Sequence, residues 1–405
     1  MRKVAGLFLL AALVLAAGCS TSQAPTGAQQ ARPQPAGEPI VLGMTQQEGA
    51  PTGSWPEMRE AAQAAVEYVN TELGGVHGRP LKLETCVTNG SPEGSIQCAN
   101  QILEKKPLAL VGGGDLGIEA SMPRYTSQGL PYLGGAPIAQ PQLAAPNSVQ
   151  FAGWAAGGLP AMALYAADQL KAKRVAIIHP DVPGSGEFVR HFTENVLRAR
   201  GVADVKMIAA NIRQPDRSAA VSAANEFRPD AIIVIESGAG CASLLQAYAG
   251  LGVKAKLLTV STCTEGAVLR SVGAAAEGVY TGTQFLGMAP ADDQPDVVVF
   301  RDKVARYARG TKLDSEWSMG GFHSVMNVYN ALKALPADQL TGEKILAELK
   351  SAKNAPNFLA DEFTCDGRVK LAPSVCNFGT RMLQVRGGKL VDVGGGWIDG
   401  SPYIS

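Results

Sequence analysis

"LALVGGGDLGIEA", residues 108–120, sets a short apolar run against a glycine-rich turn and then the start of a helical pattern. Read as strand, turn and helix, it is one unit of an α/β chain. Gly112, Gly114 and Gly117 also satisfy GxGxxG in the strand–turn–helix setting that a dinucleotide needs. That fingerprint further requires an acid about 20 residues on, to hold the ribose hydroxyls. From Ala120 through Ala167 the chain has no Asp or Glu, so the dinucleotide reading fails and no cofactor is expected. What remains is physical. Gly113, Gly114, Asp115, Leu116 and Gly117 make a loop at a helix N-terminus, where free N–H groups can meet a ligand carboxylate or another acceptor.

On the upstream side, "IVLGM" (40–44) leads to Ser54-Trp55-Pro56-Glu57, a capping-box arrangement. It opens a helix with apolar Met58, Ala61, Ala62, Ala65, Val66, Val69 and Leu73, closed by Gly74-Gly75. "LKLETC", a helix over 94–105, the opening stretch itself, a helix through Tyr125 and "PYL" (131–133) complete a β-α-β-α-β series. A second series runs through "RVAIIHP" (174–180), a helix over 187–200, "VKMIAA", a helix over 219–227, "DAIIVI" (230–235), a helix over 242–250 and "KLLTV" (256–260). Such alternation predicts two doubly wound parallel sheets with helices on both faces. Segments 151–158 and 279–285 read as connections between the units, and a helix over 315–335 packs on one of them.

The N-terminus reads as a secretory signal over 1–18. Arg2 and Lys3 precede an apolar run from Val4 to Ala17 that is too short for a stable membrane span. Ala16-Ala17-Gly18-Cys19 resembles the bacterial lipobox, in which cleavage precedes a cysteine that carries the lipid; the alternative is an ordinary cut with Cys19 incidental. Residues 19–38, rich in Ser, Gln, Ala and Pro, then form a flexible tether. The expected location is extracytoplasmic, with membrane contact through the lipid alone.

Lys plus Arg and Asp plus Glu are both 36, so no net field draws the chain to nucleic acid or to an anionic membrane. Beyond Cys19 six cysteines remain, and in an exported chain an even number suggests disulfides. They fall in three close pairs, Cys86 with Cys98, Cys241 with Cys263 and Cys365 with Cys376. Each pair would close a short loop worth about 3 kcal/mol. No CxxC occurs and His77, His179, His191 and His323 are scattered, so no metal is expected. No GxSxG elbow occurs, Ser185 in Gly184-Ser185-Gly186 reads as a strand-to-helix turn, and Asp292-Asp293 sits in a loop facing solvent. No catalytic constellation emerges, and the chain is read as no enzyme.

"VNTELGGVHGRPLKL", "LPYLGGAPIAQPQL", "AAAEGVYTGTQF" and "GFHSVMNVYNALKAL" occur in the order and spacing of the extracytoplasmic solute-binding proteins of branched-chain amino acid type. The resemblance runs from about Glu38 to the C-terminus. It implies the type 1 periplasmic-binding-protein fold: two lobes joined by three crossovers, one from 39–155 plus 283–340, the other from 156–282 plus 341–405. It further implies a small amino-acid-like or amphipathic ligand in the cleft, and an ABC permease as partner.

In open parallel sheets ligands sit at the carboxyl ends of strands. That rule and the resemblance together select Trp55, residues 113–117, Ala136, Pro137, Ile138, Gly184, Ser185, Gly186, Glu236, Ser237 and Phe285 as ligand-binding candidates. Trp55 is either a stacking wall or a helix-start staple, and Trp154 reads as packed structural tryptophan. Relatives that hold an α-amino acid place Ser or Thr where this chain has Asp115-Leu116-Gly117 and Ile138, and a Tyr-Gly turn where it has Pro183-Gly184. The acid for an ammonium would be Glu236, which without a partner faces either solvent or a cationic ligand group. The chain is thus expected to be a lipid-anchored receptor serving an importer; a sensor lobe and an exported two-lobed enzyme are the alternatives.

Overall fold

Five parallel strands form the first sheet in the order β2-β1-β3-β4-β5: β1 (Ile40–Gln47), β2 (Leu81–Thr88), β3 (Ala109–Val111), β4 (Tyr132–Leu133) and β5 (Ser148–Val149). The second contains β6 (Arg174–Pro180), β7 (Asp204–Ala210), β8 (Ala231–Val234), β9 (Lys256–Val260), β10 (Tyr280–Thr283), β11 (Gly379–Arg386) and β12 (Lys389–Asp399), ordered β12-β11-β10-β9-β8-β6-β7. The computed structural model describes residues 34–404 apart from 51, 52, 183, 237 and 239. The signal segment, Cys19 and the tether up to residue 33 therefore lie outside the described residues.

The α/β expectation holds for both sheets, but the second is mixed. β11 pairs antiparallel with β10 and with β12. Gly387 and Gly388, at φ 57° and 72°, make the two-residue turn between β11 and β12; positive φ at both positions gives the twist that a tight hairpin needs.

Helices fill the connections largely where the apolar periodicity puts them, as with Pro56–Thr71, Pro92–Glu104 and Ile118–Ser127. The capping box at Ser54 does not form. Trp55 is the N-cap and makes no side-chain cap, while Ser54 Oγ accepts from Gly49 N–H. Ala155–Asp168, expected in part as a connection, is a helix apolar nearly all round, and it is buried between the second sheet and the Ser185–Ala199 segment.

Three passages join the lobes. The first turns at Trp154, whose φ of 48° is a left-handed value rare for a bulky residue. In the second, Gln284 accepts from Trp154 N–H (2.6 Å) and donates to Trp154 C=O (2.9 Å), tying the two passages together. The third falls later than residue 340. The helix Gly342–Lys350 packs against β5 and the helix Glu316–Ala334, and Asn357 bonds His323 and Asn327 on that helix. Gln150 bridges to Val375 at the β5 edge, and the chain rejoins the second sheet only at Gly379. Burial of Ile345 and Leu349 keeps this segment on the first lobe. Because the passages leave β5 and β10 at their carboxyl ends, the carboxyl ends of the two sheets face each other.

Disulfides join Cys86 to Cys98, Cys241 to Cys263 and Cys365 to Cys376. No helix among the described residues is long and apolar enough to cross a membrane.

Candidate functional site

Beneath the facing strand ends lies a run of aromatic rings. Trp55 stacks on Trp317 at 4.1 Å with the planes 13° apart, Trp317 meets Trp154 at 4.9 Å, and Trp154 meets Phe285 edge-on at 5.7 Å. Trp55 is thus neither a free wall nor a staple of its helix but one half of a packed pair, 8% exposed. Phe285 is fully buried against Trp154 and His323, extending the floor. Gly114 lies on Trp317, with room for no side chain: a Cβ there would sit 2.5 Å from the ring.

The glycine loop is not a set of free donors. Gly114 N–H donates to Gln46 Oε1 (3.0 Å) and Leu116 N–H to Gln47 Oε1 (3.1 Å), while Gly117 N–H donates to Asp115 Oδ1 (3.0 Å). Gln46 also donates to Trp55 C=O and Gln47 to Gly53 C=O. Two glutamines ending β1, buried completely, therefore stitch the loops after β1 and β3 into one surface. The next loop repeats the device, since Gln142 Oε1 accepts from Ile138 N–H (2.9 Å) and Gln142 Nε2 donates to Ala136 C=O. Asp115 points inward. It is 1% exposed and accepts from Ser95 Oγ (2.5 Å), and burial holds its carboxyl above the ordinary aspartate value. Of the first lobe's candidates, only Leu116 and Ile138 present large exposed side chains, whereas Ala136 and Pro137 are buried.

In the second lobe Gly184, at φ 80°, is the left-handed start of a helical segment, and Ser185 Oγ lies 3.3 Å from His179 Nδ1. This is not a nucleophile and its base. Nδ1 is also 3.1 Å from Pro180 C=O, which can only accept, so that nitrogen carries the proton and cannot remove one from Ser185. Gly186 is half-buried beside the same ring. Glu236 faces neither solvent nor an open cleft: both carboxylate oxygens accept from Arg217, whose side chain is 4% exposed. Arg217 in turn donates to Asn211 C=O and Gln214 C=O. Ser237 lies outside the described residues.

Nearer the passages, polar contacts cross between lobes. Glu316, on the first lobe's long helix, accepts from Ser261 Oγ at the end of β9, from Thr283 Oγ1 and from Gln284 N–H, and its burial raises its carboxyl. Ser315 Oγ lies 2.9 Å from Glu265 Oε1 and 3.3 Å from Glu57 Oε1, with Lys312 Nζ 2.9 Å from Glu57. Desolvation pushes Glu265 up to about 7.

Gln46, Gln47, Arg217 and Trp317 were missed from sequence. The two glutamines had a readable signal, adjacent polar residues closing an apolar strand. Arg217 and Trp317 had none, because their partners are distant in the chain.

Two α/β lobes joined by three passages, with facing strand ends and an aromatic floor, define a protein built to hold something between its lobes. The profile of the periplasmic binding protein family matches residues 39–375, and the chain belongs to that family. No curated protein matches it significantly. Among solved structures it is similar to a branched-chain amino acid ABC transporter protein from Thermus thermophilus with bound valine, at TM-score 0.75 and 15% identity over 90% of this chain and 98% of that one. A solute-binding protein from R. palustris in complex with 4-hydroxybenzoate gives 0.74 and 18%, over 90% and 98%. A fatty acid ABC transporter substrate-binding protein from Thermomonospora curvata gives 0.74 and 19%, over 93% and 96%. At these identities the likeness concerns the fold.

Proposed function

We propose that this protein is an extracytoplasmic receptor that closes its two lobes on a small organic solute and hands it to an ABC importer, held to the membrane through a lipid on Cys19. One observation carries the reading: the carboxyl ends of the two sheets face each other, and polar contacts already cross between the lobes there, from Glu316 to Ser261 and Thr283. Leu116 and Ile138 follow strands of the first sheet, and Val182 and Ile212 strands of the second, all four exposed. A ligand touching both sets gains its full contacts only when the lobes approach, so it shifts the population toward closure. The backbone around Gly184–Gly186 offers further contacts on the second lobe. Family membership and the solved relatives named for ABC transporters support the importer role. Three disulfides support an oxidising compartment.

Small-angle scattering of the purified body, with and without a ligand found by thermal shift, tests closure. The radius of gyration should fall on saturation, and an unchanged value in a protein open when empty defeats the mechanism. Cys19→Ser should release the protein from the membrane fraction without unfolding it. Retention through a salt wash would place the anchor elsewhere.

A further inference from the structure

We propose that Glu265, through the chain Glu265–Ser315–Glu57–Lys312, is a proton-operated strut between the lobes that sets their resting angle in the empty protein. Glu265 follows β9 of the second sheet and is the N-cap of the helix Gly266–Val272. Its partners belong to the first lobe. Ser315 caps the helix Glu316–Ala334, Glu57 stands in the first turn of Pro56–Thr71, and Lys312 and Asp314 precede Ser315 in the chain. Asp314 crosses as well, its Oδ2 accepting from Gly266 N–H (3.1 Å). None of these residues belongs to a passage, so turning one lobe on the other changes these contacts.

A count of protons explains the coupling. Ser315 Oγ has one proton to give and two lone pairs, one of them taken by Trp317 N–H (3.3 Å). It lies 2.9 Å from Glu265 Oε1 and 3.3 Å from Glu57 Oε1, so two ionised carboxylates compete for a single proton. Lys312 Nζ serves Glu57 at 2.9 Å and stands 3.8 Å from Glu265. With Glu265 neutral the chain closes: its O–H donates to Ser315, Ser315 donates to Glu57, and Lys312 neutralises Glu57. With Glu265 ionised, Glu57, Glu265 and Asp314 crowd round Lys312, and like charges oppose the contact. Arg270, on the helix that Glu265 opens, lies beside Asp314 at Gly266. The other acids nearby have donors of their own: Glu60 is bonded by Thr311, and Glu316 by Ser261, Thr283 and Gln284 N–H.

Burial raises the Glu265 carboxyl to about 7, in keeping with this count. Lobes that part return it to water and to its ordinary 4.5, so the parted arrangement gains as pH rises from about 4.5 to 7.

Pulsed dipolar spectroscopy on the ligand-free mature protein, spin-labelled at Glu119 and Glu187, reads the lobe arrangement. Both sites are exposed, in the first turns of the helices that follow β3 and β6. The mean distance should shift by roughly 3 Å or more between about pH 5 and about pH 8, and level off above about 7. Glu265→Gln, whose amide donates to Ser315 as the neutral acid does, should keep the acid-side distance throughout, and Glu265→Ala the alkaline one. Circular dichroism checks that each labelled protein is folded at both limits; if the alanine variant is not, the parent and the glutamine variant decide. A parent distance that stays constant overturns the strut. So does a glutamine variant that follows the parent, because the titrating group is then another, or a folded alanine variant that stays at the acid-side distance. With no ligand present, each of these failures leaves the receptor reading standing.

Discussion

The first lobe holds its strand-end loops with neutral amides, whereas the second holds its own with a buried ion pair. Gln46 and Gln47 reach from β1 to the loop after β3, each bonding an N–H there and a C=O of the loop after β1. Arg217 and Glu236 do the corresponding work after β8, with Arg217 also capping two backbone carbonyls. Amides impose geometry without charge, so their contribution is independent of pH and only weakly sensitive to salt. An ion pair taken from water imposes geometry at the cost of desolvation, and breaking it leaves a charge that nothing nearby can solvate.

The largest effect should therefore come from the second lobe. Arg217→Ala should cost about 3–5 kcal/mol by urea denaturation, while Arg217→Met with Glu236→Leu should recover most of the loss. A single-variant loss below about 1 kcal/mol would mean that the pair is solvated in solution, and would erase the contrast. Gln46→Leu should cost about 2–4 kcal/mol, because Gly114 N–H and Trp55 C=O both lose their partner. That loss should be the same in low and high salt; a marked salt dependence would indicate hidden charge coupling in the first lobe.

Between the lobes, Glu265 gives a pH-dependent test. Its carboxyl titrates near 7 in the folded protein and near its ordinary 4.5 when unfolded. The folded state thus holds the extra proton in that window, and this contribution to stability is lost as pH rises from about 4.5 to 7. Glu265→Gln removes the loss, so the variant should gain on the parent by up to roughly 3 kcal/mol between those limits. His323, buried and held down to about 4, has the opposite sign: its contribution is lost as pH falls from about 6.5 to 4. Removing Glu265 should therefore steepen the decline on the acid side. A parent-minus-variant difference that is flat across pH would show Glu265 hydrated. The smallest stability effect is expected at the exposed rim, where Leu116→Ser should change the folding free energy by less than about 0.5 kcal/mol.

Much of the architecture was legible. "KLLTV" is β9 residue for residue, and the cysteine pairs close loops short enough for neighbours to find each other. The site was legible only in outline. The strand-end rule selects loops that lie at the carboxyl ends of their strands, but not the partners found there: Asp115 turns inward to Ser95, Glu236 pairs with Arg217, and the Gly114 N–H is taken by Gln46. The glycine pair that turns β11 into β12 was visible as "RGGK", and its antiparallel consequence was not drawn. The third passage was placed too early because the Gly342 helix gives no sign of which lobe it covers.

By itself the sequence determined the positions of most strands and helices and the local disulfides, since periodicity, turn chemistry and short loop closure act over a few residues. Only the tertiary structure decided which polar groups the cleft can offer. Arg217 reaches Glu236 across 19 residues and Gln46 reaches Gly114 across 68. The physical reason is that a buried polar atom must find a partner wherever the fold brings one within about 3 Å, and separation along the chain carries no information about that distance.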